Sequence, residues 1–439
     1  MPIKRLITLS LILSTSLYAK VLTLDDLIQA ALVNSPDLKI SKADYESSKQ
    51  QVIQADAGHL PTVDLAGFAG KQSADYADQT IGIAPNAFSP GSTKTNLLGA
   101  SVNAKQLIYD FGKTTGNVDN FQSQSLAVKA SMQQSISDKI YAVKKAYYAL
   151  LFNNAIVEVN SENVKLNEHQ LYRSQRYFDA GIRTKVDVTD AQVNLIEAQL
   201  SLQDTGYDVR LSLINLKKEV GIDNDQTEYE TDIFIQKPVS KNVYDSLPKL
   251  TLPVSAYKDE AYENRAELEQ YIQLLEAAHS IHTQTKGDYY PSVYAKGDYL
   301  IQDVDEDAFA PEQQWKATVS LEWNLYSGSR TNAQNEEAKI IIMKANADLE
   351  NARLRIQQEV NQAYIQVNKQ LDNTKMSESL SIASKEKFEQ VQKRYEYGLA
   401  DYIELQQARQ SYIDAKARLA QSYYEYYKAM ALLDHAVGK

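Results

Sequence analysis

The sequence predicts a mixed α/β membrane protein built as a tandem internal repeat. In each copy, two amphipathic β-strands lead into a long α-helical coiled-coil hairpin. Three observations carry this prediction. The chain matches itself at a fixed spacing, short stretches alternate apolar and polar residues, and very long stretches lack proline and place apolar residues in steps of three and four.

The repeat comes first because a missed repeat misassigns the whole fold. Tyr177-Phe178-Asp179-Ala180-Gly181-Ile182 corresponds to Arg394-Tyr395-Glu396-Tyr397-Gly398-Leu399 at a spacing of 217 residues. The same spacing relates Ile108-Tyr109 to Leu325-Tyr326, Ala146-Tyr147 to Ala363-Tyr364, and Val220-Gly221 to Val437-Gly438. Earlier in the chain the spacing is 230: Asn34-Ser35-Pro36-Asp37-Leu38 matches Asn264-Arg265-Ala266-Glu267-Leu268, and Pro61 matches Pro291. The first copy therefore carries 13 extra residues between Pro61 and Ile108, where a variable loop is expected. The first copy is assigned to 20–221, a linker rich in acid and proline to 222–254, and the second copy to 255–439.

Each copy opens with a helix, expected over about 24–58 and 255–285 and closed by Pro61 or Pro291, which cannot continue it. Strands follow, within about 61–109 and 290–326. Trp315, Ala317, Val319, Leu321, Trp323 and Leu325 alternate with Lys316, Thr318, Ser320, Glu322, Asn324 and Tyr326. Leu98, Ala100, Val102 and Ala104 alternate with Gly99, Ser101, Asn103 and Lys105. Period-two alternation gives a strand two unlike faces, and strands of this kind build transmembrane barrels. Trp315, Trp323, Tyr290 and Tyr299 suit an aromatic girdle.

The hairpins follow, over about 112–220 and 329–435. No proline interrupts Gly112–Tyr177, so that helix would be roughly 100 Å long at 1.5 Å per residue. Its apolar seam is Ile136, Ile140, Val143, Tyr147, Leu150, Val157, Val164 and Leu171. The returning helices carry Val188, Ala191, Leu195, Ala198 and Leu202, and Leu405, Ala408, Tyr412, Ala415, Leu419, Ser422, Tyr426, Ala429 and Leu433. Steps of three and four specify coiled-coil packing. Gly181 and Gly398 end the ascending helices as left-handed caps. Thr184 with Asp187, and Asp401 with Glu404, then have capping-box spacing.

Composition limits the function. The chain begins with Lys4 and Arg5, an apolar run over Leu6–Leu17, and Leu17-Tyr18-Ala19. That is a secretory signal peptide over 1–19, too short to span a membrane. No later segment is apolar enough to be a transmembrane helix, so membrane residence would require a closed β-barrel. Four strands cannot close one, whereas three chains supply twelve. There is no cysteine to form a disulfide or carry a lipid anchor, and the formal charge of −11 argues against a nucleic-acid partner. No nucleophile elbow, phosphate loop or zinc helix is present, so the chain is expected not to be an enzyme and to need no cofactor or metal. His279 and His282 are read as a solvated pair on one helix face.

Leu60-Pro61, Leu107-Ile108-Tyr109-Asp110-Phe111-Gly112-Lys113 and Gly181-Ile182-Arg183-Thr184-Lys185-Val186-Asp187-Val188, in this order and with the duplication, resemble the TolC family of outer-membrane factors over essentially the whole mature chain. The resemblance implies a homotrimer, a twelve-stranded barrel in the outer membrane, and an α-helical tunnel in the periplasm. It also implies docking to a periplasmic adaptor (membrane fusion) protein and, through it, to an inner-membrane transporter. The conduit would be passive, gated at its periplasmic helical tips, and part of a tripartite efflux or type I secretion system. Carried over by position, the gate candidates are Phe178, Arg183, Asp187, Asp190, Tyr395, Asp401 and Glu404. Phe178 stands where the family often has tyrosine. Gly181, Ile182, Thr184, Gly398 and Leu399 are hairpin-tip adaptor contacts by the same argument. Two roles stay open for Asp187 and Glu404, capping alone or capping with gating. The rival readings are a periplasmic adaptor, disfavoured by the duplication, and a structural coiled-coil envelope protein, disfavoured by the strands.

Overall fold

A computed structural model describes residues 23–75, 92–222, 242–303 and 312–439. The signal-peptide assignment over 1–19 and the 223–241 part of the linker lie outside the described residues. The chain divides into two compact units, one comprising Lys42–Met132 and Glu267–Arg353, the other Met1–Ser41, Gln133–Ala266 and Leu354–Lys439.

The element order repeats once: α1 (Leu24–Asn34), α2 (Pro36–Asp56), β1 (Thr62–Asp75), β2 (Ser92–Tyr109), α3 (Lys113–Asp179) and α4 (Lys185–Val220). A short α5 (Val243–Ser246) precedes the second series: α6 (Val254–Asn264), α7 (Ala266–Gly287), β3 (Ser292–Asp303), β4 (Glu312–Glu322), α8 (Arg330–Glu396) and α9 (Tyr402–Ala436). α3 and α8 have 67 residues each. The backbone repeats with the residues. Positive φ angles recur at Phe111-Gly112 and Gly328-Ser329, at Gly181 and Gly398, and at Gly221 and Gly438.

Where one opening helix was expected in each copy, there are two. α1 ends at Ser35 (ψ 122°), because the ring of Pro36 disfavours a helical residue before it. α6 ends at Arg265 (ψ 113°) with no proline. Arg265 is buried there, and its guanidinium donates to Glu359 Oε2 at 2.6 Å and to the carbonyls of His435 and Ala436 at 3.5 Å. Both breaks lie under a glycine. A Cβ on Gly221 would come within 3.0 Å of Asn34 C, and one on Gly438 within 2.9 Å of Asn264 C. The α1 break, α3 and the end of α4 enclose one core cluster of Leu27, Ala31, Val143, Tyr147, Leu150, Leu216 and Val220.

The sheet is antiparallel in the order β1-β2-β3-β4. Register aligns Leu65, Val102, Tyr299 and Trp315 in one row and Asp64, Asn103, Asp298 and Lys316 in the next. One face is thus apolar across all four strands and the other polar. Leu65, Trp315 and Val319 are each more than three-quarters exposed. Among the described residues, the outer edges of β1 and β4 have no partner strand. β4 ends at Glu322, so Leu325 and Tyr326 lie past it.

All nine seam residues of α9 are buried. On α4 the expected seam is the packed face, with Ala191 and Ala198 buried and Val188, Leu195 and Leu202 half-buried. Beside it Val193, Ile196, Leu200, Tyr207, Leu211 and Ile214 form an exposed apolar stripe, again stepping by three, four and seven. On α3, Val157 is half-buried while Val159 is buried against Phe388 and Tyr412. α3 therefore packs on more than the single side that one seam assumes.

Candidate functional site

The two hairpin tips lie in the same unit. In the first, α3 closes with Gly181 N–H donating to Phe178 O (2.9 Å) and Ile182 N–H to Tyr177 O (2.9 Å). In the second, Gly398 N–H donates to Tyr395 O (3.1 Å) and Leu399 N–H to Arg394 O (2.8 Å). Both turns satisfy helix-end carbonyls through a left-handed glycine, φ 72° at Gly181 and 73° at Gly398.

The caps differ. At α4, Asp187 Oδ2 accepts from both Thr184 N–H and Thr184 Oγ1–H at 2.9 Å, and the Thr184 side chain accepts from the third-position N–H, a complete capping box. At α9, Asp401 Oδ1 accepts from Glu404 N–H at 2.7 Å. Glu404 does not reach back to the cap. Its carboxylate takes an ion pair from Arg394 at 2.6 Å, while Arg394 also donates to Leu399 O at 3.0 Å. The capping-box spacing is thus only half used here, because a cation in the last turn of α8 competes for the acid.

Tyr395 and Phe178, equivalent in sequence, part company. Tyr395 is 2% exposed, in a cluster with Val391, Phe388, Tyr402, Leu405 and Ala191. Burial raises its pKa, so it stays a neutral phenol. Its hydroxyl accepts from Gln170 Nε2 at 3.5 Å, and Arg183 lies 5.2 Å from its ring centroid in a cation–π contact. Phe178 is 39% exposed. Asp190 is exposed, and its carboxylate has no partner among the described residues. Gly181, Ile182, Thr184, Gly398 and Leu399 all face solvent.

A half-buried polar chain that the sequence did not reveal joins the hairpins. Asn194 Nδ2 donates to Tyr402 Oη (2.8 Å), Gln406 Nε2 donates to Asn194 Oδ1 (2.8 Å), and Arg409 donates to Gln406 Oε1. Arg173 of α3 pairs with Glu396 of α8 at 2.7 Å. These groups hold the two tips together without offering any nucleophile, paired acid and base, or metal cage. Among the described residues no group of ligands could hold a metal. His279 is exposed, and His282 Nε2 is enclosed without a partner.

The family model for "Outer membrane efflux protein" matches residues 27–221 and 258–439. The chain belongs to the outer membrane efflux protein family. Both matched segments coincide with the two copies of the repeat. Outer membrane protein TolC of Vibrio cholerae is 21% identical over 443 residues, covering 97% of this chain and 92% of that protein. TolC of Escherichia coli is 23% identical over 224 residues, 51% of this chain and 45% of that protein, so this chain spans about half the length of that relative. The fold is that of CusC, whose crystal structures are described as showing transmembrane channel formation. The TM-score is 0.80 at 15% identity, covering 94% of this chain and 92% of that one. The characterised relatives of this efflux family are channel proteins rather than enzymes.

Proposed function

We propose that this member of the family is one protomer of a homotrimeric outer-membrane exit channel serving a tripartite efflux or type I secretion system. The conduit is passive and gated at its periplasmic helical tips. The observation that carries the proposal is the sheet. An apolar face spans four strands in register, opposite a polar face, and among the described residues both edges lack a strand partner. Such a surface is costly in water and suits a closed barrel with lipid outside and an aqueous lumen inside. Twelve strands from three chains fall within the range of known barrels.

The α4 stripe supports the same assembly. Fully burying a Val, Leu or Ile stabilises by roughly 1.5–3 kcal/mol, so five such residues left in water beside Tyr207 point to a covering surface. Heptad spacing favours a neighbouring helix as that cover. The exposed tip residues Gly181, Ile182, Gly398 and Leu399 are then available to a periplasmic adaptor, through which an inner-membrane transporter is engaged. Asp190, exposed and without a carboxylate partner among the described residues, converges with its copies at the gate, together with Asp187 and Arg183.

Heat-modifiable migration and native mass in detergent test this reading. A species three times the chain mass that requires detergent and shifts on boiling supports it. A monomer extracted without detergent removes it and promotes the adaptor reading.

A further inference from the structure

The groups at the tips leave one charge unaccounted for. Arg409 of α9 is 4% exposed, and among the described residues its only polar partner is the neutral amide oxygen of Gln406. A guanidinium carries five N–H donors, so most of its hydrogen-bonding capacity is unused. Burial alone lowers its pKa, and no carboxylate opposes that shift. A buried charge is costly unless it is paired. Arg409 borders a cavity of about 210 Å³, also lined by Leu166, His169, Gln170, Arg173, Phe388 and Leu405. No acid is among the lining residues.

We infer that this cavity binds a small oxyanion of the phosphate class, held by the Arg409 guanidinium and assisted by His169, Gln170 and Arg173. The volume is below the roughly 300–1,000 Å³ of pockets for drug-sized molecules, so the ligand is an ion and not channel cargo. The planar fork of arginine matches an oxyanion through two parallel N–H···O bonds. Leu166, Phe388 and Leu405 keep the wall apolar, which strengthens that attraction. Gln170 makes only long contacts, 3.4 Å to Ser174 and 3.5 Å to Tyr395, and can turn its amide to the ligand. Arg173 is tied to Glu396, so a bound anion would share that cation with the ion pair joining α3 to α8. The site lies within one unit of a single chain and does not depend on the channel reading.

The test is a titration of inorganic phosphate into the purified full chain in detergent, in low-chloride buffer, read by calorimetry and by the thermal midpoint. One saturable site is expected. Arg409→Gln weakens it at least tenfold, and Arg173→Gln weakens it by a smaller factor. Arg210→Gln, on an exposed arginine of α4, leaves it unchanged. Equal binding by wild type and Arg409→Gln overturns the inference, as does the absence of saturation in the wild type. If phosphate has no effect while Arg409→Gln lowers the oligomeric mass, a neighbouring copy's acid fills the cavity and the inference also falls. If Arg409→Gln fails to fold, Arg409→Lys decides: it should bind phosphate more weakly, and unchanged affinity overturns the inference.

Discussion

Tyr395 and Phe178 occupy equivalent positions, yet burial gives them different work. Phe/Trp→Ala changes in a core cost roughly 3–5 kcal/mol. Tyr395→Ala should lie in that range by chemical denaturation, whereas Phe178→Ala should cost under about 1 kcal/mol. Comparable losses would show that exposure in the chain does not reflect the assembled protein. A second residue-level expectation concerns pH. The hydrogen bond from His435 holds the Asp138 carboxyl below its ordinary 3.8, and Gln134 adds to the effect. A lowered carboxylate pKa gives stability that is present above the unfolded value and lost as pH falls through the folded one. Wild type should therefore exceed Asp138→Asn in thermal midpoint near neutrality, and the two curves should converge below pH 3.8. A constant gap down to acid pH would rule this pair out as the cause. The tip glycines were legible in the sequence because a positive φ is nearly a glycine property. The Asn194–Tyr402–Gln406–Arg409 chain was not, because it joins residues more than 200 positions apart whose meeting depends on how the hairpins are packed.

Elements show the same division. Proline after α2 and α7, strand alternation and proline-free hairpins are local chemistry, and β1–β4, α3, α4, α8 and α9 lie within those stretches, with β4 stopping at Glu322 short of the full alternation. The α1/α2 break was written as Pro36. The α6/α7 break was not, since Arg265 is no helix breaker and bends the chain only because Glu359 and the end of α9 receive its guanidinium. Gly221 and Gly181 separate two costs that sequence treats alike. Both have positive φ, so Ala at either is strained by roughly 1–2 kcal/mol. A methyl on Gly221 also meets Asn34 and Ser35 backbone at 3.0 Å, while one on Gly181 meets nothing within 4 Å. Overpacking adds about 1–3 kcal/mol. Gly221→Ala should be the more destabilising in urea unfolding, and the reverse order would refute the close-approach account. The seam of α4 was legible, but the exposed stripe beside it was not, for a related reason. A heptad identifies a face that wants a partner helix but not whether that partner belongs to the same chain.

At the scale of the whole molecule, the apolar sheet face and the α4 stripe are both uncovered among the described residues of a single chain. If a second copy covers α4, the double substitution Leu200→Lys, Leu211→Lys should reduce the mass in detergent to that of a monomer while leaving helical circular dichroism unchanged. A retained assembly would place another partner on that stripe. The acids and the arginine at the tips matter only if the assembly conducts. The most direct measurement is single-channel conductance of the purified protein in a planar bilayer, for wild type, Asp190→Ala and Arg183→Ser. The account predicts discrete, small, cation-preferring events in the wild type and larger conductance in the variants. A protein that inserts as a stable oligomer yet never conducts, with either variant as silent as the wild type, would contradict it.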